Sequence, residues 1–197
     1  AFCVGHPFWK AWRAHVKRLN PEAYLTAEIV DVAEKVVPYM QGDEFDSEMN
    51  YNFLFTAVEF FVDPAPQRIA AGEFDRKLQT LRELYPPGVA ETSMTLLGSH
   101  DTNRIGSYIV NRGIGRYRDW GTYFTKSKTS DNPAYSARKP TAADYHLQKL
   151  LVIFQMTYVG APMIYYGDEV GMWGGNDPDC RKPMVWEDLT YAPEVFD

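Results

Sequence analysis

The stretch "LLGSHDTNRI", residues 96–105, joins a short apolar run to His100 and Asp101, which stand side by side. An apolar run of this length that ends in small residues predicts a buried strand, which we place at 94–101. An isolated His-Asp pair is most simply the first polar residues beyond such a strand, and short motifs of this kind often match by chance. The pair gains meaning only if other strands of the same sheet also end in acids.

Two other predicted strands do end in acids, at 23–28 and 162–169. A further strand is predicted at 44–51, and apolar residues at helical spacing predict helices at 6–21, 52–63, 73–85 and 142–159. Strands that alternate with helices and are themselves almost continuously apolar favour a parallel sheet covered by helices. The predicted fold class is therefore α/β.

Glu28 and Asp101 end two of these strands and lie 73 positions apart. A parallel barrel of about 250 residues uses roughly 31 residues for each strand and helix, so this gap is about two units. The carboxyl ends of parallel strands meet on one face, where ligands bind. Paired carboxylates are what glycoside cleavage requires, since one protonates the leaving oxygen and another attacks or stabilises the cationic centre. For Glu28 taken alone, a solvated strand end explains the residue equally well, but two acids at barrel spacing favour a chemical role.

Composition excludes several classes of partner. The net charge is −6 without a stripe of Lys and Arg, so we expect no nucleic-acid partner. The sequence contains no apolar run of about 18 residues, which is the length that a membrane-spanning helix needs. It also contains no cluster of alternating Asp and Asn residues of the kind that binds calcium. We expect no metal and no cofactor. The two cysteines leave the compartment open, with a periplasmic or secreted location favoured over a cytoplasmic one.

A polar, glycine-containing stretch at 106–141 is too long for a plain loop, so we interpret it as an insertion on a functional face. Its aromatic residues suit stacking against sugar faces, although packing explains any single one equally well. They are Tyr117, Trp120, Tyr123, Phe124 and Tyr135. We treat residues 1–197 as one partial domain that carries this insertion.

Three segments together resemble the α-amylase family of glycoside hydrolases, within it the neopullulanase and cyclomaltodextrinase branch. They are "YLTAEIVD" (24–31), "LLGSHDTNRI" (96–105) and "GAPMIYYGDEVGMWGGNDPDCRKPMVW" (160–186), of which the last is the most specific. The resemblance implies a (β/α)8 TIM barrel, of which this chain would supply about strands five to eight with their helices. The segment at 106–141 is atypical of the branch.

The resemblance also implies roles for individual residues. Glu28 matches the general acid/base, and Asp101 matches the carboxylate that holds sugar hydroxyls and stabilises the transition state. His100 matches the histidine that binds the sugar beside the cleaved bond. Asp177 and Arg181 match a pair that grips the neighbouring glucose toward the non-reducing end.

Four residues near these motifs complete the candidates. Asn103 and Arg104, which follow Asp101, are further candidates for substrate binding. Asp168 and Glu169 are expected to lie behind the site and to hold its loop.

The nucleophile of the family is an aspartate at the end of strand four, which the resemblance places about two residues before Ala1. The intact protein is therefore expected to be a retaining hydrolase of α-glucans such as cyclodextrins, pullulan, starch and malto-oligosaccharides. The chain alone would lack the nucleophile. The alternative is a non-catalytic, amylase-like protein that binds carbohydrate or another partner. Half a barrel leaves two sheet edges unpaired, so a homo-oligomer is also possible.

Overall fold

The computed structural model describes residues 3–114 and 119–186. Its four strands form one parallel sheet in the order β1-β2-β3-β4. Ser47 lies opposite Thr26, and Met94 lies opposite both Met49 and Ala161. The strands are β1 (Thr26–Ala27), β2 (Ser47–Asn50), β3 (Met94–Leu96) and β4 (Ala161–Met163). The predicted parallel α/β class is confirmed, although each strand is shorter than its apolar run because the backbone beyond it turns into a loop.

Helices connect and cover these strands, as the spacing of apolar residues predicts. The helices are α1 (His6–Leu19), α2 (Ala33–Val36), α3 (Tyr51–Phe61), α4 (Ala71–Leu84), α5 (Val89–Thr92), α6 (Ile105–Val110), α7 (Trp120–Lys126) and α8 (Ala142–Thr157). The four helices that the sequence predicts correspond to α1, α3, α4 and α8. None of the described helices is both long and apolar enough to cross a membrane.

Local capping explains where two of the helices begin. The side chain of Asn50 accepts a hydrogen bond from the backbone amide of Phe53, which ends β2 and starts α3 in a single step. Thr141 and Asp144 form a reciprocal capping box at the start of α8. The first of these caps brings Tyr51 directly behind the end of β2.

An aromatic layer packs α3 against α4 and α8. Phe53 stacks on Phe154 with ring centroids 5.5 Å apart, and Phe74 stacks on Phe60 at 4.3 Å. Residues Tyr51–Glu59 of α3 are all buried, which makes this helix the centre of the core. The core is therefore centred on α3 and the helices packed against it.

The segment at 106–141 is not the plain polar stretch that its composition suggests. It continues α6, contains α7 and buries three tyrosines, Tyr108, Tyr123 and Tyr135. The hydroxyl of Tyr108 donates a 2.6 Å hydrogen bond to that of Tyr123. These rings supply enough apolar surface to fold the segment onto the core. Tyr117 lies outside the described residues.

One edge of the sheet carries exposed apolar side chains. Leu150, Ile153 and Met156 of α8 and Ile164 after β4 are all exposed. Two of them, Ile153 and Ile164, line a groove of about 370 Å³ between α8 and β4. Among the described strands, β1 and β4 each pair on one side only.

Glu48 is a fully buried carboxyl group in β2. The hydroxyl of Tyr85 donates a hydrogen bond to its Oε1, whereas its Oε2 has no hydrogen-bond partner among the described residues. Burial raises the pKa of Glu48 from 4.5 to about 8, because water no longer solvates the charged form. The side chain is therefore mostly a neutral acid at pH 7.

We predict that this group makes the protein less stable as the pH rises. Between pH 4.5 and about 8 the folded state holds a proton on Glu48 that the unfolded state releases. The free energy of unfolding should therefore fall across this range, by at most about 1.4 kcal/mol per pH unit from this group. Glu48→Gln should remove this component, whereas the exposed Glu91→Gln should keep it. Equal pH slopes for wild type and Glu48→Gln in urea unfolding of the intact protein would contradict the assignment.

Candidate active site

Glu28, His100 and Asp101 come together at the carboxyl edge of the sheet, just beyond β1 and β3. His100 Nε2 lies 3.4 Å from Glu28 Oε1 and 3.6 Å from Asp101 Oδ2. One ligand atom from each residue lies within 4.8 Å of the others. The side chains of Glu28, His100 and Asp101 are 42%, 43% and 35% exposed, so the cluster opens to solvent. The sequence spacing correctly predicted that these acids share one cleft.

Tyr51 lies beneath this cluster and joins its two acids. Its hydroxyl donates to Glu28 Oε1 at 3.2 Å and is 3.0 Å from Ser99 Oγ, which accepts from the amide of Asp101 at 3.1 Å. Burial raises the pKa of Tyr51, so the phenol keeps its proton. Sequence reasoning missed Tyr51, although its position directly after the end of β2 could have indicated it.

Arg181 fixes the opposite side of the cluster. Its Nη2 donates to Asp101 Oδ1 at 2.8 Å, and its Nε lies 3.1 Å from Asp177 Oδ1. The backbone carbonyl of His100 accepts from Arg181 Nε at 2.9 Å and from the thiol of Cys180 at 3.2 Å. The structure therefore brings Asp177 and Arg181 to the same cleft as Asp101, which leaves Asp101 Oδ2 directed toward His100.

Asn103 is one of two candidate residues that face into the protein instead. It is fully buried. Its amide group donates to the hydroxyl of Tyr135 at 3.0 Å and accepts from that of Tyr123 at 2.8 Å. The contact with substrate that the sequence suggests for Asn103 stays a prediction, because its amide is already engaged beneath the cleft.

Arg104 is the other inward-facing candidate and is also fully buried. It donates to the carbonyl of Tyr166 at 2.5 Å and to Asp168 Oδ1 at 3.0 Å, and it lies 4.7 Å from the ring centroids of Tyr165 and Tyr166. Its contact with substrate also stays a prediction.

The loop after β4 surrounds this buried arginine. Burial raises the pKa of Asp168 to about 7, an effect that the Arg104 guanidinium opposes. Gly167 has a φ of 87°, and a side chain there would collide with Met172 and press on Arg104. Asp168 thus lies behind the cleft against Arg104, whereas Glu169 is exposed.

The cluster contains atoms of the kind that bind metal ions. Glu28, His100 and Asp101 offer one imidazole nitrogen and two carboxylate oxygens close enough together to hold a cation. The expectation that this chain uses no metal and no cofactor therefore stays a prediction.

Comparison with known proteins identifies the family. The model of the alpha-amylase catalytic domain matches residues 4–135, which is more than half of the chain. The chain belongs to the alpha-amylase family. Family members of this kind have the TIM-barrel fold, and the four parallel strands agree with it.

Individual relatives match almost the whole chain. A cyclomaltodextrinase from Geobacillus thermopakistaniensis (strain MAS1) is 36% identical over 194 residues, which are 98% of this chain and 26% of that protein. Neopullulanase 2 of Thermoactinomyces vulgaris is 39% identical over 194 residues, covering 98% of this chain and 27% of that protein. The chain thus spans about a quarter of the length of these curated relatives.

Solved structures agree with these sequence matches. A cyclomaltodextrinase superposes with a TM-score of 0.72 at 33% identity, over 100% of this chain and 27% of that chain. The cyclic alpha-maltosyl-(1-->6)-maltose hydrolase from Arthrobacter globiformis superposes with a TM-score of 0.71 at 28% identity, over 100% of this chain and 36% of that chain.

We predict that Arg104→Met strongly destabilises the protein at pH 8. The substitution leaves the buried carboxylate of Asp168, which is ionised above its pKa of about 7, without its counter-ion, and breaking a buried pair in this way typically costs about 3–5 kcal/mol. Replacing both partners together, as Arg104→Met with Asp168→Leu, should cost less than Arg104→Met. Urea unfolding of the intact protein at pH 8 measures both. Asp43→Asn, which breaks an exposed pair with Lys10, is the control and should change little. An Arg104→Met protein as stable as wild type would contradict this role.

Proposed function

We propose that this chain is the acid/base half of a retaining α-glucan hydrolase, with β1 to β4 as strands five to eight of its barrel. In this proposal residues 1–197 form part of one catalytic domain, and 106–141 is an insertion in it. The observation that carries the proposal is the open cluster of Glu28, His100 and Asp101 at the carboxyl edge of a parallel sheet. The names of the relatives support cyclodextrins, pullulan, starch or malto-oligosaccharides as substrates.

Glu28 acts first as an acid and then as a base. Its proton passes to the glycosidic oxygen as the bond from that oxygen to the anomeric carbon breaks, while a carboxylate nucleophile bonds to the same carbon. Water then adds to the anomeric carbon, the bond to the nucleophile breaks, and the water proton returns to Glu28. We place the nucleophile, an aspartate, on strand four outside this chain.

His100 and Asp101 bind the hydroxyl groups of the glucose unit that is cleaved. Arg181 already engages Asp101 Oδ1, so Oδ2 is the oxygen that remains for the sugar. Arg181 and Asp177 hold the neighbouring glucose toward the non-reducing end. All four side chains border the same cleft, which supports a shared role in binding one glucan chain.

Asn103 and Arg104 position the loop that carries His100 and Asp101. Their buried hydrogen bonds to Tyr123, Tyr135 and Asp168 support this role, because a catalytic group is held in place by the rigid residues beneath it.

Glu28→Gln tests the proposed function in the full-length protein that carries this chain. We expect the rate on cyclodextrin and pullulan to fall about 10²–10⁴-fold, the range typical of a lost general acid/base. Glucosyl fluorides should lose less, since their leaving group needs little protonation. The exposed Glu22→Gln is the control and should retain the wild-type rate. An unchanged rate for Glu28→Gln would exclude the assignment, and a wild-type protein that binds glucan but releases no reducing ends would favour the non-catalytic alternative.

The chain of 197 residues by itself should be associated or poorly folded, and inactive. The edges of β1 and β4 and the apolar groove beside α8 favour contact with other chains. A second copy would supply another Glu28 and still no nucleophile. Sizing chromatography combined with an assay for reducing ends checks both points. A compact monomer that hydrolyses pullulan would show that the assignment of half a barrel is wrong.

A further inference from the structure

Trp120 begins α7 in the segment at 106–141 and lies close to the acid/base side of the cleft. Its ring stacks on Tyr123 with centroids 5.1 Å apart and meets the ring of Tyr51 edge-on at 6.2 Å. Tyr51 in turn donates to Glu28. Trp120 is only partly buried in the described part of the chain, although it packs against the core. A single side chain therefore separates this partly open aromatic ring from Glu28.

The other described aromatic residues of the segment are differently placed. Tyr123 and Tyr135 are buried and hydrogen-bonded to Asn103. Phe124 lies under the ammonium group of Lys128, whose Nζ is 3.9 Å from the ring centroid. Trp120 is thus the ring among them that is both partly open and in contact with Tyr51.

Two chemically different flanks border the cluster. Arg181 contacts Asp101, the backbone of His100 and Asp177, and with Asp177 it forms a charged flank. Trp120 reaches Glu28 through Tyr51 and forms an aromatic flank. If the charged flank holds the glucose on the non-reducing side, as in the proposed function, the aromatic flank adjoins the glucose on the reducing-end side. The flat C–H face of a pyranose suits an indole, which offers a large apolar surface with few rotatable bonds.

We propose that Trp120 determines specificity by stacking on the glucose unit at the reducing-end side of the cleaved bond. This inference rests on the proposed function and adds to it the residue that binds the leaving or accepting sugar. Trp120 takes no part in proton transfer. Trp120 instead determines whether a sugar or water occupies the reducing-end side when the bond to the nucleophile is broken.

An occupied reducing-end side favours transfer over hydrolysis. A hydroxyl oxygen of the bound sugar then bonds to the anomeric carbon, the bond to the nucleophile breaks, and the hydroxyl proton passes to Glu28. When no sugar is bound there, water attacks the anomeric carbon in the same way and the result is hydrolysis. Weaker binding on the aromatic flank therefore lowers the ratio of transfer to hydrolysis.

Trp120→Ala, Trp120→Tyr and Phe124→Ala in the full-length protein test this inference with maltose as the accepting sugar. In Trp120→Ala the maltose concentration for half-maximal transfer should rise about fivefold to tenfold, the equivalent of one lost aromatic contact. The kcat for hydrolysis of cyclodextrin should change less than about threefold, since proton transfer is unaffected. Trp120→Tyr should restore most of the maltose binding, and Phe124→Ala, an aromatic deletion in the same helix, should match wild type. A uniform fall in kcat without a change in the maltose dependence, or an equal effect of Phe124→Ala, would overturn the proposal.

A binding measurement separates this inference from the proposed function. Calorimetric titration of cyclodextrin, whose ring spans both sides of the bond to be cleaved, into Glu28→Gln and into Glu28→Gln/Trp120→Ala measures binding without cleavage, and we expect about fivefold to tenfold weaker binding in the second variant. Equal binding by the two variants would overturn the role of Trp120. Normal hydrolysis by Glu28→Gln would instead overturn the proposed function, whatever the titration gives.

Discussion

The parallel direction of β1, β2 and β3 is the constraint on which the cleft depends. Because β2 runs parallel to both of its neighbours, β1 and β3 reach the same edge of the sheet. Glu28 and Asp101 follow those two strands, so both carboxylates lie within 3.6 Å of the imidazole of His100, although 73 positions separate them in sequence. An antiparallel β3 would place Asp101 at the opposite edge, with no common site. The chemistry proposed for this chain follows from strand direction before any single side chain is considered.

A rigid polar layer lies under this open cluster. Arg104 and Asn103 are both fully buried. Arg104 is paired with Asp168 through Nη1, although its Nε and Nη2 have no hydrogen-bond partner among the described residues, and Asn103 is held between two tyrosine hydroxyls. Buried polar groups are costly unless they are satisfied, so each contact favours one arrangement of the loop after β3. The exposed carboxylates above can then stay solvated and accessible to a ligand while their backbone is fixed from below. Within this one short motif, Asn103 and Arg104 hold the loop in place, whereas His100 and Asp101 stay accessible to a ligand.

The segment at 106–141 shows why composition alone misjudges such a region. Its glycines and polar residues indicate a loop, yet a few widely spaced tyrosines are enough to fold it onto the core. Their spacing has no helical or strand period, and their hydroxyl partners lie on Asn103 and on one another. Contacts between residues this far apart in sequence leave no local pattern. The same folding brings Trp120 against Tyr51, beside a cleft formed by other parts of the chain.

The sequence by itself determined the α/β class, the four main helices and the acids that end the strands, because periodicity and turn residues are local properties of the chain. It also placed Glu28, His100, Asp101, Asp177 and Arg181 in segments that resemble one family. Only the tertiary structure decided that Asn103 and Arg104 point inward, that Tyr51 joins the two acids, and that Trp120 lies beside them. The direction of a side chain beyond the last residue of a strand depends on how its loop turns. That turn is set by buried partners from distant parts of the chain, such as Asp168 and Tyr135, which no local pattern encodes.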